Sequence, residues 1–192
     1  MSAKSKDNYD YSDEFCDIIY HVANRCYKYF KRSLGSSYKP QHWKLPFFEF
    51  LAYLSVRLDL AIFKKKLPDH VVQSIFNKIW KRMDEEFRNL HGGNISDCFN
   101  GRMSQYAKIF RTYRNNELWK ELHNYLAELL KHAAVEKKLF LGQWTKFPLI
   151  LMGLTKDIAI KMVLIDIEKL YINPFDKACN EMVEKLKDIF SD

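Results

Sequence analysis

The stretch PFFEFLAYLSVRLDLAIF, which begins at Pro46, is strongly apolar yet contains the ionisable side chains of Glu49, Arg57 and Asp59. A membrane-spanning helix needs roughly 20 predominantly apolar residues with few or no charges. On a helical wheel the charges fall largely on one side, and the other sides are apolar. This pattern is typical of a helix at the centre of a bundle. We therefore predict that helix 46–66 lies inside the protein.

Apolar residues return every three or four positions along most of the remaining chain, which is the spacing of amphipathic helices. With only 6 glycines and 5 prolines in 192 residues, there are too few turn residues for many short strands. The sequence predicts an all-α, single-domain bundle of about six to seven helices, with helix 46–66 central. Residues 1–11 are predicted to form a flexible tail and 12–192 the helical domain.

The segment 156–171 departs from this pattern, since it is apolar almost all round and rich in β-branched residues. We interpret it as a buried helix, with a strand as the alternative, because short apolar runs fit both. After it, Asn173-Pro174 is predicted to start the last helix, whose apolar stripe ends at Phe190.

Composition indicates the class of protein and its surroundings. The formal net charge is +7, which favours an acidic partner: nucleic acid, a membrane surface or an acidic protein. Four isolated cysteines have no metal-ligand spacing and are read as reduced thiols of a cytosolic protein. With no apolar span and no secretory leader pattern, we expect a cytoplasmic protein without a bound cofactor or metal ion.

Two helices carry cations without nearby carboxylates. No acidic residue occurs between Asp17 and Glu49, or between Asp97 and Glu117. On the first predicted helix, from about Asp13 to Ser33, basic residues recur at steps of four, three and four, which places them on one face. We predict a basic binding face, with a solvated helix surface that needs no partner as the alternative. Its residues are His21, Arg25, Lys28, Arg32, Arg102, Lys108 and Arg111.

The ionisable residues of helix 46–66 form the second candidate site. Glu49, Tyr53 and Arg57 share a narrow polar strip, and Asp59 lies apart from it. An unpaired buried charge costs several kcal/mol, so each charge needs a partner from another helix. The four residues are either a structural network that fixes helix register or the lining of a polar pocket for a small anion or other ligand.

No catalytic motif is present, and a metal site lacks support. A group of three carboxylates and a histidine lies on one face of the predicted helix 117–140, but the Glu-x-x-His pairs of dimetal bundles do not occur. The leading hypothesis is a non-enzymatic interaction module that presents its basic face to an acidic partner. The alternative is a ligand-binding or enzymatic bundle with a polar pocket around Arg57 and Asp59. Homodimerisation is compatible with both.

Overall fold

A computed structural model describes residues 11–34, 44–87, 95–112, 120, 124 and 156–190. Within these residues the chain is helical apart from the short connection 66–68, so the all-α prediction is confirmed. The helices are α1 (Tyr11–Leu34), α2 (Lys44–Lys65), α3 (Asp69–Phe87), α4 (Ile95–Thr112), α5 (Lys156–Ile167) and α6 (Asn173–Phe190). A π-helical turn, Glu168–Ile172, joins α5 to α6 without a break.

Helix α2 occupies the centre of the bundle, as predicted. It packs against α1, α4 and α6, and nearly every side chain from Phe47 to Leu58 is buried. An ordinary surface helix has one apolar stripe, whereas a helix covered on all sides is apolar around its circumference. None of the helices within the described ranges has a stretch long and apolar enough to cross a membrane.

Helices α1 and α3 lie side by side in the same direction. Asp13 pairs with Lys78 and Asp17 with Arg82, so both ion pairs advance by four residues along both helices. Acidic residues in the first turn of α1 also suit the positive end of its dipole. The inward face of α1 buries apolar side chains at helical spacing, namely Phe15, Ile19, Ala23, Cys26 and Phe30.

An aromatic cluster joins α3 and α4 to the first turns of α2. The ring of Phe87 stacks on Phe47 with centroids 5.6 Å apart and meets the ring of Phe48 edge-on at 5.5 Å. Phe48 in turn contacts Phe99 of α4 at 5.6 Å. Edge-on and offset ring pairs stabilise a core beyond the effect of buried area alone.

The segment 156–171 is helical, so the strand alternative is wrong. It is less buried than predicted, because Met162, Ile165 and Leu170 are exposed. Among the side chains described in this segment, the buried residues Val163, Leu164 and Ile167 lie on one side. Helix α5 and the π turn pack against α1, and this contact accounts for the burial of one side only.

The last helix begins at Asn173, as predicted, and it continues from the π turn without a break. Proline lacks a backbone N–H, and its ring clashes with the carbonyl four residues earlier in a regular helix. The wider turn directly before Pro174 accommodates this, with the N–H of Asn173 donating to the carbonyl of Glu168. Phe190, predicted to face inward, is exposed at the end of α6, where its ring meets His70 edge-on.

Several predictions concern residues outside the described ranges and stay predictions. They are residues 1–10 of the predicted tail and most of the helix predicted at 117–140, with its group Glu117, Glu121, Glu128 and His132. The division into one domain, 12–192, likewise stays a prediction. The predicted tail is wrong at Tyr11, which is the first residue of α1.

Lys66, directly after α2, has a left-handed backbone with φ of 56°. A left-handed conformation strains any residue with a Cβ, and glycine is the usual solution at a helix C-terminus. We expect Lys66→Gly to raise the free energy of unfolding by about 0.5–1 kcal/mol in urea denaturation. The matched control is Lys64→Gly inside the last turn of α2, which should lower it by about 1 kcal/mol. A lower urea midpoint for Lys66→Gly would contradict this account.

Candidate functional site

Glu49 on α2 is the most deeply buried charged group of the described residues, with no solvent exposure. Arg102 of α4 binds it through Nε, which lies 3.1 Å from Oε1 and 3.2 Å from Oε2, and through Nη2. The hydroxyl of Tyr106 also donates to Oε1. Arg102 is itself only 14% exposed. The polar strip of α2 therefore begins with a carboxylate that α4 neutralises inside the protein.

Arg57, two turns further along α2, is bound by the last helix. Its Nε donates to Oδ1 of Asp176 at 2.8 Å, and its Nη2 donates to Oδ2. Its Nη1 donates to the hydroxyl of Tyr53 at 3.1 Å. The rings of Tyr53 and Tyr106 meet edge-on with centroids 5.7 Å apart, so the two polar clusters are adjacent. A planar fork of this kind suits Arg and a carboxylate.

Pairing with a carboxylate affects the pKa of both partly buried arginines more than burial does. Burial alone would lower the pKa of Arg57, but the hydrogen bonds to Asp176 raise it above its ordinary value. The same opposition holds for the pKa of Arg102, where Glu49 is the partner. Three of the four predicted pocket residues, Glu49, Tyr53 and Arg57, thus belong to the hydrogen-bonded contacts of α2 with α4 and α6. Asp59 is only partly buried, and Tyr106, one partner considered for it, binds Glu49.

The basic residues predicted on α1 all lie at the surface. We call His21, Arg25, Lys28 and Arg32 the basic stripe; each of the four is exposed. The guanidinium of Arg25 lies 5.2 Å from the ring centroid of Tyr171, which the π turn presents to α1. None of the stripe residues forms an ion pair with another described residue. The face that the sequence predicts is therefore accessible on α1.

The cations predicted on α4 differ in their exposure to solvent. Arg102 turns inward to Glu49, so its charge is neutralised and does not belong to an exposed basic surface. Lys108 is exposed. The side chain of Arg111 lies outside the described part of the structure. A sequence pattern of cations without neighbouring carboxylates cannot distinguish Arg102 from the others, because its partner comes from a distant helix.

An open groove lies beside the basic stripe, between α1 and α3. Its volume is about 560 Å³, and we call it the aromatic groove because three rings line it. Arg82 stacks over the ring of Tyr20 at 4.3 Å and donates to Asp17 at 2.5 Å. The lining residues are Asp17, Tyr20, His21, Asn24, Tyr27, Phe47, Arg82 and Glu86. His21 belongs to both the groove and the stripe.

Tyr20 is unusual among the groove residues. The side chain is 5% exposed, and its hydroxyl forms no hydrogen bond with any described residue. A buried hydroxyl without a partner costs about 1–3 kcal/mol, so such groups call for an explanation. Sequence analysis did not single out Tyr20, Asn24 or Tyr27. The available signal was their helical spacing, which places polar and aromatic side chains along one edge of the basic stripe.

The buried cysteines Cys26 and Cys179 are not activated nucleophiles. Burial raises the pKa of the thiols of Cys26 and Cys179, which keeps them protonated and unreactive. All four cysteines are free. Among the described residues, no three His, Cys, Asp or Glu side chains converge where a metal ion would bind.

The buried pair of Glu49 and Arg102 leads to a stability prediction. Arg102→Met would leave a buried carboxylate without its countercharge, and we expect it to lower the free energy of unfolding by about 3–5 kcal/mol. Arg82→Met is the control, because its exposed pair with Asp17 contributes about 1 kcal/mol or less. The triple variant Glu49→Met/Arg102→Met/Tyr106→Phe should be more stable than Arg102→Met. Equal losses for Arg102→Met and Arg82→Met would contradict the assignment.

Tyr53 should make the protein sensitive to alkali. Burial raises its pKa to about 12, although the neighbouring Arg57 acts in the opposite direction. An unfolded tyrosine ionises near pH ~10, so between about pH 10 and 12 the unfolded state loses a proton that the folded state keeps. Stability is therefore full below pH ~10 and falls as the pH rises. In urea titrations at several pH values, we expect Tyr53→Phe to reduce the loss of unfolding free energy between pH ~10 and ~12. An unchanged loss in this variant would contradict the account.

Comparisons with protein-family models, with curated proteins and with solved structures find no match for this chain. Two features stand out once the buried charges have been assigned to helix packing: the basic stripe on α1 and the aromatic groove beside it.

Proposed function

We propose that this protein is a non-enzymatic binding module that holds single-stranded nucleic acid on the exposed face of α1. The observation that carries the proposal is the basic stripe, four exposed cationic or titratable side chains along about three helical turns without an ion-pair partner among the described residues. Cations at this spacing neutralise successive phosphates and release the counterions condensed on them.

The distribution of charge along α1 supports this proposal. In the first half of α1, Asp13 and Asp17 are paired with Lys78 and Arg82 of α3. The second half of α1 contains no carboxylate. Acidic residues of other helices approach its two sides: Asp166 accepts a hydrogen bond from Tyr29, and Glu86 of α3 lines the groove together with His21. Positive charge is therefore concentrated on one half of one helix, where it would attract a polyanion.

Aromatic side chains on both sides of the stripe favour nucleic acid over an acidic protein. Tyr27 lies on the groove side, and Tyr171 lies under Arg25 on the other side. Both rings are partly exposed. Proteins that bind single strands combine a cationic track for the backbone with aromatic side chains on which bases stack. A carboxylate-rich protein surface would use the cations but would have no need of the rings.

A ligand pocket around Arg57 and Asp59 has less support. The guanidinium of Arg57 already binds Asp176 and Tyr53, and Glu49 binds Arg102 and Tyr106, so these groups would have to exchange protein partners for a ligand. That hypothesis and homodimerisation stay predictions from the sequence. A cytoplasmic location, which free cysteines suit, belongs to this proposal as well.

The stripe can be tested by electrophoretic shift and fluorescence anisotropy over a salt series, with a 12-nucleotide single strand. We expect Arg25→Gln/Lys28→Gln/Arg32→Gln to reduce the slope of log K against log salt by about 2, because each phosphate contact on a single strand contributes roughly 0.7. The charge-reversed variant Arg25→Glu/Lys28→Glu/Arg32→Glu should abolish binding.

The control removes the same charge from scattered exposed positions, Lys64→Gln/Lys81→Gln/Lys185→Gln, and should keep the parental slope. Binding that ignores salt, or equal losses in the stripe and control variants, would refute the proposal. Salt-dependent capture of an acidic protein by the stripe, together with failure to bind either DNA or RNA, would assign the face to that other class of partner.

A further inference from the structure

The aromatic groove is continuous with the basic stripe on α1. Asn24 of the groove and Lys28 of the stripe are four residues apart, as are Tyr27 and Lys31, so each pair shares a face of the helix. The ammonium of Lys31 lies 6.0 Å from the ring centroid of Tyr27. One end of the groove therefore adjoins cations, whereas the other contains the ion pair of Asp17 and Arg82.

The groove offers the contacts that a base requires. The amide of Asn24 and the imidazole of His21 can each donate and accept hydrogen bonds. The hydroxyl of Tyr20 is a donor without a partner among the described residues, and burial keeps it protonated by raising its pKa well above the ordinary value. A heterocyclic base carries carbonyl and ring-nitrogen acceptors beside N–H donors, so it complements this set.

The walls of the groove offer apolar contact. The rings of Tyr27 and Phe47 lie with centroids 6.2 Å apart and planes tilted by 56°, and Tyr27 is partly exposed. Stacking on such rings tolerates every base, because each has a flat π face. The carboxylates of Asp17 and Glu86, which both line the groove, would repel a phosphate, so the backbone of the ligand must lie toward Lys28.

We infer that the aromatic groove binds one unpaired base of a nucleic-acid strand whose phosphates follow the basic stripe, with Tyr20 and Asn24 contacting the edge of the base and Tyr27 its face. This inference rests on the proposed function and adds to it a specific pocket. It also provides a reason for a buried tyrosine hydroxyl without a protein partner, because the bound base would supply the missing acceptor.

The test compares two 12-nucleotide strands by fluorescence anisotropy, one of polythymidine and one of the same length with abasic sugars. The parental protein should bind the base-bearing strand about tenfold more tightly, which is the scale of one stacked base. Tyr20→Phe and Asn24→Ala should each reduce this preference several-fold and leave the salt slope unchanged. Tyr20→Phe should fold with a Tm no lower than the parent, because it deletes only an unpaired hydroxyl.

Tyr29→Phe is the matched control, since this partly buried tyrosine of α1 donates to Asp166 at 2.9 Å and does not line the groove. It should keep the full base preference. Equal affinity for the two strands, or an unchanged preference in both Tyr20→Phe and Asn24→Ala, would overturn the groove assignment while the stripe is upheld. If the stripe variants bound both strands as tightly as the parental protein does, the proposed function itself would be refuted. A free mononucleotide that competes as well as the strand would reassign the groove to a soluble nucleotide.

Discussion

The carboxylate of Glu49 has to be matched inside the protein, and the packing of the bundle depends on how this is done. The helix that carries it is covered by α1, α4 and α6, so water is not available as a partner. Arg102 of α4 supplies the countercharge and Tyr106 a further hydrogen bond. Because an unmatched charge in this position costs more than a packing defect, these contacts restrict how α4 can slide along α2.

The same constraint recurs at the other end of the polar strip. Arg57 and Lys65 of α2 pair with Asp176 and Glu184 of α6, and the partners are eight residues apart on both helices, so the two helices run parallel and in register. The basic stripe takes no part in these pairs and lies on the outer face of α1. Internal pairing thereby separates the charges that hold the bundle together from those available to a partner.

Much of this architecture follows from periodicity. The helical conformation of α1 and α2, the central position of α2 and the surface position of His21, Arg25, Lys28 and Arg32 could all be predicted, since they depend on residues close together in the chain. The partners of the buried charges could not. Arg57 and Asp176 are 119 residues apart, and any of several carboxylates fits the pattern equally well. The groove was missed for a related reason: it needs Phe47 and Arg82 from two other helices to become a cavity.

The π turn between α5 and α6 also has a geometric consequence. A regular helix advances by about 100° per residue, so the residues of one face recur every three or four positions. An expanded turn shifts that phase. Tyr171 of the turn meets α1, whereas Asp176, five residues later, meets α2. The continuous rod of α5, the π turn and α6 therefore contacts two helices that lie in different directions. The position of the Tyr171 ring on α1 is coupled to the position of Asp176, which binds Arg57 of α2.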